Sequence, residues 1–179
     1  MRVVSGELRG RRIESPAGEG TRPTTDKVRE AVFNALGSLD VVEGARVLDL
    51  FAGTGAMGIE ALSRGASACT FVENDRAAIA VLRHNIDSLA LRDRATVVAS
   101  DARTACRGTW DIVIADPPYG ETVWVGLLDG LECSVAVLES GRPIGSVAGW
   151  ETLREKRYGR THVAFLQPAV SAAGTVEGE

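Results

Sequence analysis

Four consecutive residues, Asp116-Pro117-Pro118-Tyr119, follow the apolar run Ile112-Val113-Ile114-Ala115. The run reads as a buried strand, and the four residues read as a rigid loop at its carboxyl end. Two prolines fix φ and lack N–H donors, which leaves the Pro117 carbonyl free to face a ligand beside the Asp116 carboxylate. Two acceptors side by side suit an amine with two N–H donors, and Tyr119 offers a flat face on which a base can stack. An Asp-Pro-Pro turn that merely closes a strand is the commoner use of these residues. The other strand ends of the chain argue against that use here.

Upstream, Arg46 to Gly58 gives a strand, a glycine turn and a helix start. Gly53, Gly55 and Gly58 have the spacing of a dinucleotide fingerprint, a pattern that any tight strand-to-helix turn also selects. Asp49 stands four residues before the first glycine. A carboxylate there attracts an ammonium group and repels a pyrophosphate. Phe51 and Thr54 belong to the same turn. A second strand, Cys69 to Glu73, ends in an acid placed to grip a ribose diol, with Asn74 beside it as a ribose neighbour or a helix cap. A third, Thr96 to Ala99, is followed by Ser100-Asp101-Ala102, so that Asp101 can accept a hydrogen bond from an adenine amine. Four strands ending at one sheet edge in the chemistry of one ligand make a binding crevice.

Together these residues resemble the class I S-adenosylmethionine-dependent methyltransferases that act on amines, marked by a D/N-P-P-Y/F loop. The stretch Arg2 to Ile13 and the stretch Arg22-Pro23-Thr24-Thr25-Asp26-Lys27-Val28-Arg29-Glu30-Ala31-Val32-Phe33-Asn34 are similar to the RsmD family of 16S ribosomal RNA guanine-N2 methyltransferases. That resemblance extends to about Leu166. It implies a Rossmann-like α/β fold, with a mostly parallel seven-stranded sheet, helices on both faces, an antiparallel last strand and an N-terminal β-hairpin extension. It implies S-adenosylmethionine as cofactor, with Asp49, Phe51, Gly53, Thr54 and Gly55 at its methionine end, Glu73 and Asn74 at the ribose, and Asp101 and Ala102 at the adenine. The catalytic loop is then Asp116, Pro117, Pro118 and Tyr119. The substrate is 16S ribosomal RNA, presented in the small ribosomal subunit or its assembly intermediates, and Arg2, Arg9, Arg11, Arg12 and Arg22 are its expected contacts.

Composition is compatible with one compact domain. The 179 residues are 45% hydrophobic, enough for a sizeable core. No apolar stretch approaches the roughly 18 residues of a membrane span, and the start of the chain lacks an apolar leader, so a cytoplasmic protein is expected. It is separately expected to be a monomer. Cys69, Cys106 and Cys133 are odd in number and widely spaced, which indicates neither a disulfide framework nor a metal site. The formal net charge of -4 is unusual for a protein that handles nucleic acid. Its distribution matters more: residues 1–12 set four arginines against Glu7, and residues 154–160 set Arg154, Lys156, Arg157 and Arg160 against Glu155. Both segments can meet phosphates.

Hydrophobic spacing supplies the elements that must position these groups. Val3 to Ile13 alternates around Gly6 and Gly10 as a hairpin would, and residues 1–23 are read as an extension with a connector. A helix is predicted from about Thr25, followed by strand–helix alternation through 166, with helices over Met57 to Arg64, Ala77 to Leu89 and Val123 to Leu131 and a fifth strand over Ser134 to Leu138. Glu151 to Arg157 and Thr161 to Leu166 read as an antiparallel pair, and residues 167–179 as a disordered tail. Two other functions fit parts of the pattern. A DNA adenine-N6 methyltransferase shares the Asp-Pro-Pro-Tyr chemistry but needs a target-recognition domain. A nicotinamide-dependent oxidoreductase or a Rossmann binding module explains the glycines and Glu73 but gives Asp49, Asp101 and the loop at 116–119 no role.

Overall fold

The computed structural model describes residues 1–15, 26–105, 107–118 and 124–170. Its strands are β1 (Arg46–Leu50), β2 (Ala68–Glu73), β3 (Ala95–Ala99), β4 (Gly108–Ala115), β5 (Leu131–Ser140), β6 (Trp150–Tyr158) and β7 (Thr161–Pro168). They form one sheet in the order β3-β2-β1-β4-β5-β7-β6. Neighbours among the first five are parallel, and β7 runs antiparallel to both β5 and β6. The seven-stranded, mostly parallel sheet expected from the resemblance is therefore present.

Among the described residues the helices are α1 (Asp26–Ser38), α2 (Ala56–Ser63), α3 (Arg76–Ser88), α4 (Ala102–Ala105) and α5 (Trp124–Leu128), with one 3₁₀ turn at Arg92–Arg94. Two apolar layers explain why the central strands are almost uninterruptedly apolar. On one face Val47, Phe71, Ile112 and Ile114 pack with Val32 and Phe33 of α1, Ile59 and Leu62 of α2, and Leu82 and Ile86 of α3. On the other, Leu48, Leu50, Val113 and Ala115 pack with Ala102, Trp124, Leu127 and Leu128.

The N-terminal segment folds back on itself as the expected hairpin, and it packs into the core. Around the antiparallel bridge of Arg2 and Arg12, the Val3 N–H donates to the Arg11 carbonyl and the Ile13 N–H to the Met1 carbonyl, both at 3.0 Å, and Val3 and Ile13 are fully buried in the first apolar layer. The segment lies across α2, which is why that helix buries Ile59, Glu60, Ala61, Leu62 and Ser63 in succession rather than along one stripe. Gly6 sits so close to the helix end that a Cβ there would meet the Ser63 carbonyl oxygen at 1.7 Å. Glu60 reaches outward to accept the backbone N–H groups of Val4 (2.8 Å) and Ser5 (3.0 Å), and it also pairs with Arg29 and Arg64. Residues 1–15 thus complete the core.

Three further boundaries are corrected. The helix expected over Val123 to Leu131 stops at Leu128, because Leu131 to Cys133 pair with Gly108 to Trp110 and lengthen β5. The tail expected from Gln167 begins later, since Pro168 still pairs with Trp150 and the Ala169 N–H donates to the Gly149 carbonyl. The cap of α3 is Asp75, whose carboxylate accepts the Ala78 N–H at 2.8 Å, and not Asn74. The expected disorder of residues 171–179 lies outside the described residues.

Candidate active site

Side chains two residues apart on a strand share a face. Val47, Phe71 and Ile114 point into the layer of α1, α2 and α3, so Asp49, Glu73 and Asp116 share that face. Asp49 is level with Phe71 and Ile114 in the sheet register, and Glu73 and Asp116 stand one step nearer the carboxyl edge. Three carboxylates therefore converge on one corner, the deepest being Asp49, with only 3% of its surface exposed. Burial pushes the Asp49 carboxyl up to about 8; the Gly58 N–H at 2.9 Å opposes this, and the charges of Asp116 and Glu73 add to it. Such a corner favours a cationic ligand and disfavours a phosphate.

The glycine turn is shaped by the same acids. Glu73 accepts three backbone N–H groups, those of Gly53 (2.8 Å), Asn74 (2.8 Å) and Asp75 (2.9 Å), and so ties the turn to the end of β2. Gly55 precedes α2 at φ 82°, and its missing Cβ makes room for Leu82. Gly58 serves packing, since a Cβ would lie 2.3 Å from the Phe71 ring. Phe51 has a φ of 58°, rare for a bulky side chain, and places local backbone strain in the turn itself.

Asp101 follows β3 at the same edge. Its carboxylate accepts the Arg103 N–H at 2.9 Å and opens α4, which sets Ala102 in the core. Asp116 is exposed, Pro117 is half-buried and Pro118 is exposed at the end of β4. Tyr119 and Arg22 lie outside the described residues. The edge thus gathers Asp49, Phe51, Gly53, Thr54, Gly55, Glu73, Asn74, Asp101, Ala102, Asp116, Pro117 and Pro118.

It does not gather the N-terminal arginines. The turn between Gly6 and Gly10 lies at the opposite edge, where the Glu7 N–H donates to Ser63 at the end of α2 and the Glu7 carboxylate pairs with Arg94 just before β3. Arg9 belongs to that turn. Arg2 donates to the Gly10 carbonyl at 2.7 Å and Arg11 to the Ser88 carbonyl at 3.0 Å. Arg12, three-quarters exposed, stands where the chain climbs back toward the site.

One residue that sequence reasoning missed joins that climbing segment to the glycine turn. Asn85 of α3 is fully buried. Its Oδ1 accepts the Glu14 N–H at 2.8 Å, and its Nδ2 donates to the carbonyls of Glu14 (3.1 Å) and Thr54 (3.0 Å). The available signal was its place beside Ile86, on the apolar stripe of an otherwise amphipathic helix.

The family described as Conserved hypothetical protein 95 matches residues 1–167. The chain belongs to this family. Ribosomal RNA small subunit methyltransferase D from Escherichia coli strain K12 is 45% identical over 93% of this chain and 89% of its own length. YlbH from Bacillus subtilis is 39% identical over 93% of this chain and 98% of its own length. The solved structure of yhhF from Escherichia coli superposes with a TM-score of 0.82 at 38% identity, covering 94% of this chain and 97% of that one. The resemblance read from the N-terminal stretch and the Asp-Pro-Pro-Tyr loop is borne out at the level of the family.

Proposed function

We propose that the protein transfers a methyl group from S-adenosylmethionine to the exocyclic N2 amine of a guanine in 16S ribosomal RNA, within small-subunit particles. Methyltransferase activity accords with the family and with the seven-stranded fold. The observation that supports the finer reading is the convergence on one corner of Asp49, Glu73 and Asp116, the last being the first residue of the Asp-Pro-Pro loop.

The residues fit this cofactor better than a dinucleotide. An acidic, desolvated corner repels a pyrophosphate and attracts the ammonium and sulfonium cations of S-adenosylmethionine. In the proposal Asp49 and the Gly53-Thr54-Gly55 turn hold the methionine end. Glu73 uses its remaining acceptor capacity on the ribose, with Asn74 beside it, and Asp101 with Ala102 borders the adenine. When bound, the cofactor supplies an electrophilic methyl group. The protein's own task is to place the amine in line with it. Asp116 and the Pro117 carbonyl accept the two amine N–H groups, favour a pyramidal nitrogen and stabilise the positive charge that grows there. Tyr119 stacks on the base once it is turned out of its helix, and one amine proton leaves to water. Among the N-terminal arginines, Arg12 and Arg22 are the RNA contacts kept in the proposal.

Labelled cofactor, small-subunit particles and mass-spectrometric mapping of the modified base test the reading. Asp116→Ala should reduce transfer by about two to three orders of magnitude while cofactor affinity stays near wild type, and Asp116→Asn should be milder because one acceptor survives. Label entering duplex DNA, or an Ala variant as fast as wild type, would defeat it.

A further inference from the structure

Resting on the reading of an RNA substrate, we infer that the turn of the β6–β7 hairpin and the loop after β5 form a second cationic surface, which holds the phosphate backbone beside the target base. β5 is parallel to β4, so Ser140 ends at the same edge as Asp116, and Arg142 follows two residues later. β7 returns from that edge, since Ser140 pairs with His162, and β6 arrives there, since Tyr158 pairs with Thr161. Arg160, in the turn between them, therefore lies on the catalytic edge. The site at β4 and this turn are separated by three strand spacings, about 14 Å, a span that a few nucleotides bridge.

The side chains suit a phosphate. Arg142, Lys156 and Arg160 are exposed, and none pairs with a carboxylate among the described residues. Of the nearby acids, Glu139 is buried at the end of β5, and Glu155 is engaged by the Ile144 N–H at 3.1 Å and lies 3.4 Å from His162. Lys156 rests over the half-buried Tyr158 ring, 5.6 Å from its centroid, which holds the cation at the surface. A purely protective role for edge-strand charge explains Lys156. It leaves Arg142 and Arg160, which belong to no strand, unexplained. The charge is also divided along the edge: acids gather at the ends of β1, β2 and β4, where the cofactor's cations would sit, and beyond the buried Glu139 of β5 stand the exposed bases Arg142, Lys156 and Arg160, where an anionic polymer would continue.

The test is binding of the full chain to deproteinised 16S ribosomal RNA over a range of salt, with S-adenosylmethionine affinity and melting temperature measured in parallel. Changing Arg142, Lys156 and Arg160 together to Gln should flatten the plot of log affinity against log salt by up to roughly 2, at about 0.7 for each single-strand phosphate that is no longer neutralised. Cofactor affinity and melting temperature should not move. Arg160→Gln alone should flatten it more than Arg9→Gln, which makes the same charge change at the opposite edge. An unchanged slope in the triple variant, or equal effects of Arg160→Gln and Arg9→Gln, would overturn the inference while the methyltransferase reading stands. A wild-type protein that methylates neither this RNA nor small-subunit particles would remove the reading itself.

Discussion

The two basic segments look alike in sequence, four cations against one acid in each, yet they occupy opposite situations in the fold. Residues 1–15 lie over α2, with Val3 and Ile13 in the core and a fully buried Glu60 gripping their backbone. The β6–β7 hairpin forms the free edge of the sheet, with β6 exposed along nearly its whole length and its turn at the catalytic edge. Counting charge finds both. What separates them is whether a buried polar group has been committed to holding the segment, because such a group is costly unless its partners are fixed.

The largest effect expected from this difference is at Glu60. Glu60→Ala leaves Arg29, itself 1% exposed, without its buried partner and strands the N–H groups of Val4 and Ser5. Breaking a buried pair from one side costs about 3–5 kcal/mol, which for a domain of this size lowers Tm by roughly 6–20 °C. Denaturant and thermal unfolding would measure it. A loss below about 1 kcal/mol would mean that the N-terminal segment is merely laid on the surface, and the contrast with the hairpin would collapse.

The parts of the molecule legible from sequence were those in which polar residues end apolar runs. Asp49, Glu73, Asp101 and Asp116 stand at or after strand ends, and the register brings them to one edge. Polar residues on buried faces were not legible. Glu60 lies inside Ile59 to Leu62, Arg29 beside Val28, and Asn85 beside Ile86; read locally, each is a charge or amide on a solvated helix. Their burial depends on a segment more than twenty residues distant, which local periodicity cannot register. The start of β5 at Leu131 failed for a related reason, since pairing with Gly108 overrides the helical spacing before it.

The acidic corner gives the next effect, and it sets the cofactor half of the edge apart from both basic segments. Asp49 has its carboxyl raised from 3.8 to about 8 by burial. A raised carboxyl contributes stability that is fully present below pH 4 and is lost as pH rises through 8. Asp49→Asn keeps an acceptor for the Gly58 N–H and removes that loss, so the ligand-free variant should melt several degrees above wild type at pH 9 and alike at pH 4, at about 2–4 °C per kcal/mol. Its affinity for S-adenosylmethionine should fall. Wild-type affinity should rise by up to about tenfold per unit from pH 6 to 8, and the variant's should stay flat. Calorimetry across that range checks both, and a flat wild-type profile would separate Asp49 from the cofactor's ammonium group.

Asn85 tests whether the N-terminal segment also serves the site. Asn85→Ala leaves the Glu14 N–H and the Thr54 carbonyl without their partner, at a cost of about 1–3 kcal/mol. Asn85→Asp keeps the acceptor for Glu14 and loses both donors. If the Thr54 contact holds the glycine turn, both variants should weaken cofactor binding by roughly tenfold, equivalent to about 1.4 kcal/mol. Equal destabilisation with unchanged affinity would assign the turn to Glu73 alone and leave Asn85 a clamp on residue 14.

The smallest effect lies within the N-terminal segment. Arg9 and Arg12 are both exposed, but Arg9 belongs to the turn at the far edge, whereas Arg12 precedes the stretch that Asn85 ties to the glycine turn. Neither should change stability by more than the few tenths of a kcal/mol typical of exposed charges. Their effect on RNA should differ. Arg12→Ala should lower the salt slope of 16S ribosomal RNA binding by about 0.7 if it meets one phosphate, and Arg9→Ala should leave it unchanged. The reverse order would place RNA across the covered end of α2, and the segment would then be both a structural cover and the principal RNA contact. Equal slopes in both variants and wild type would leave the N-terminal segment a cover alone, with the RNA held from the hairpin side.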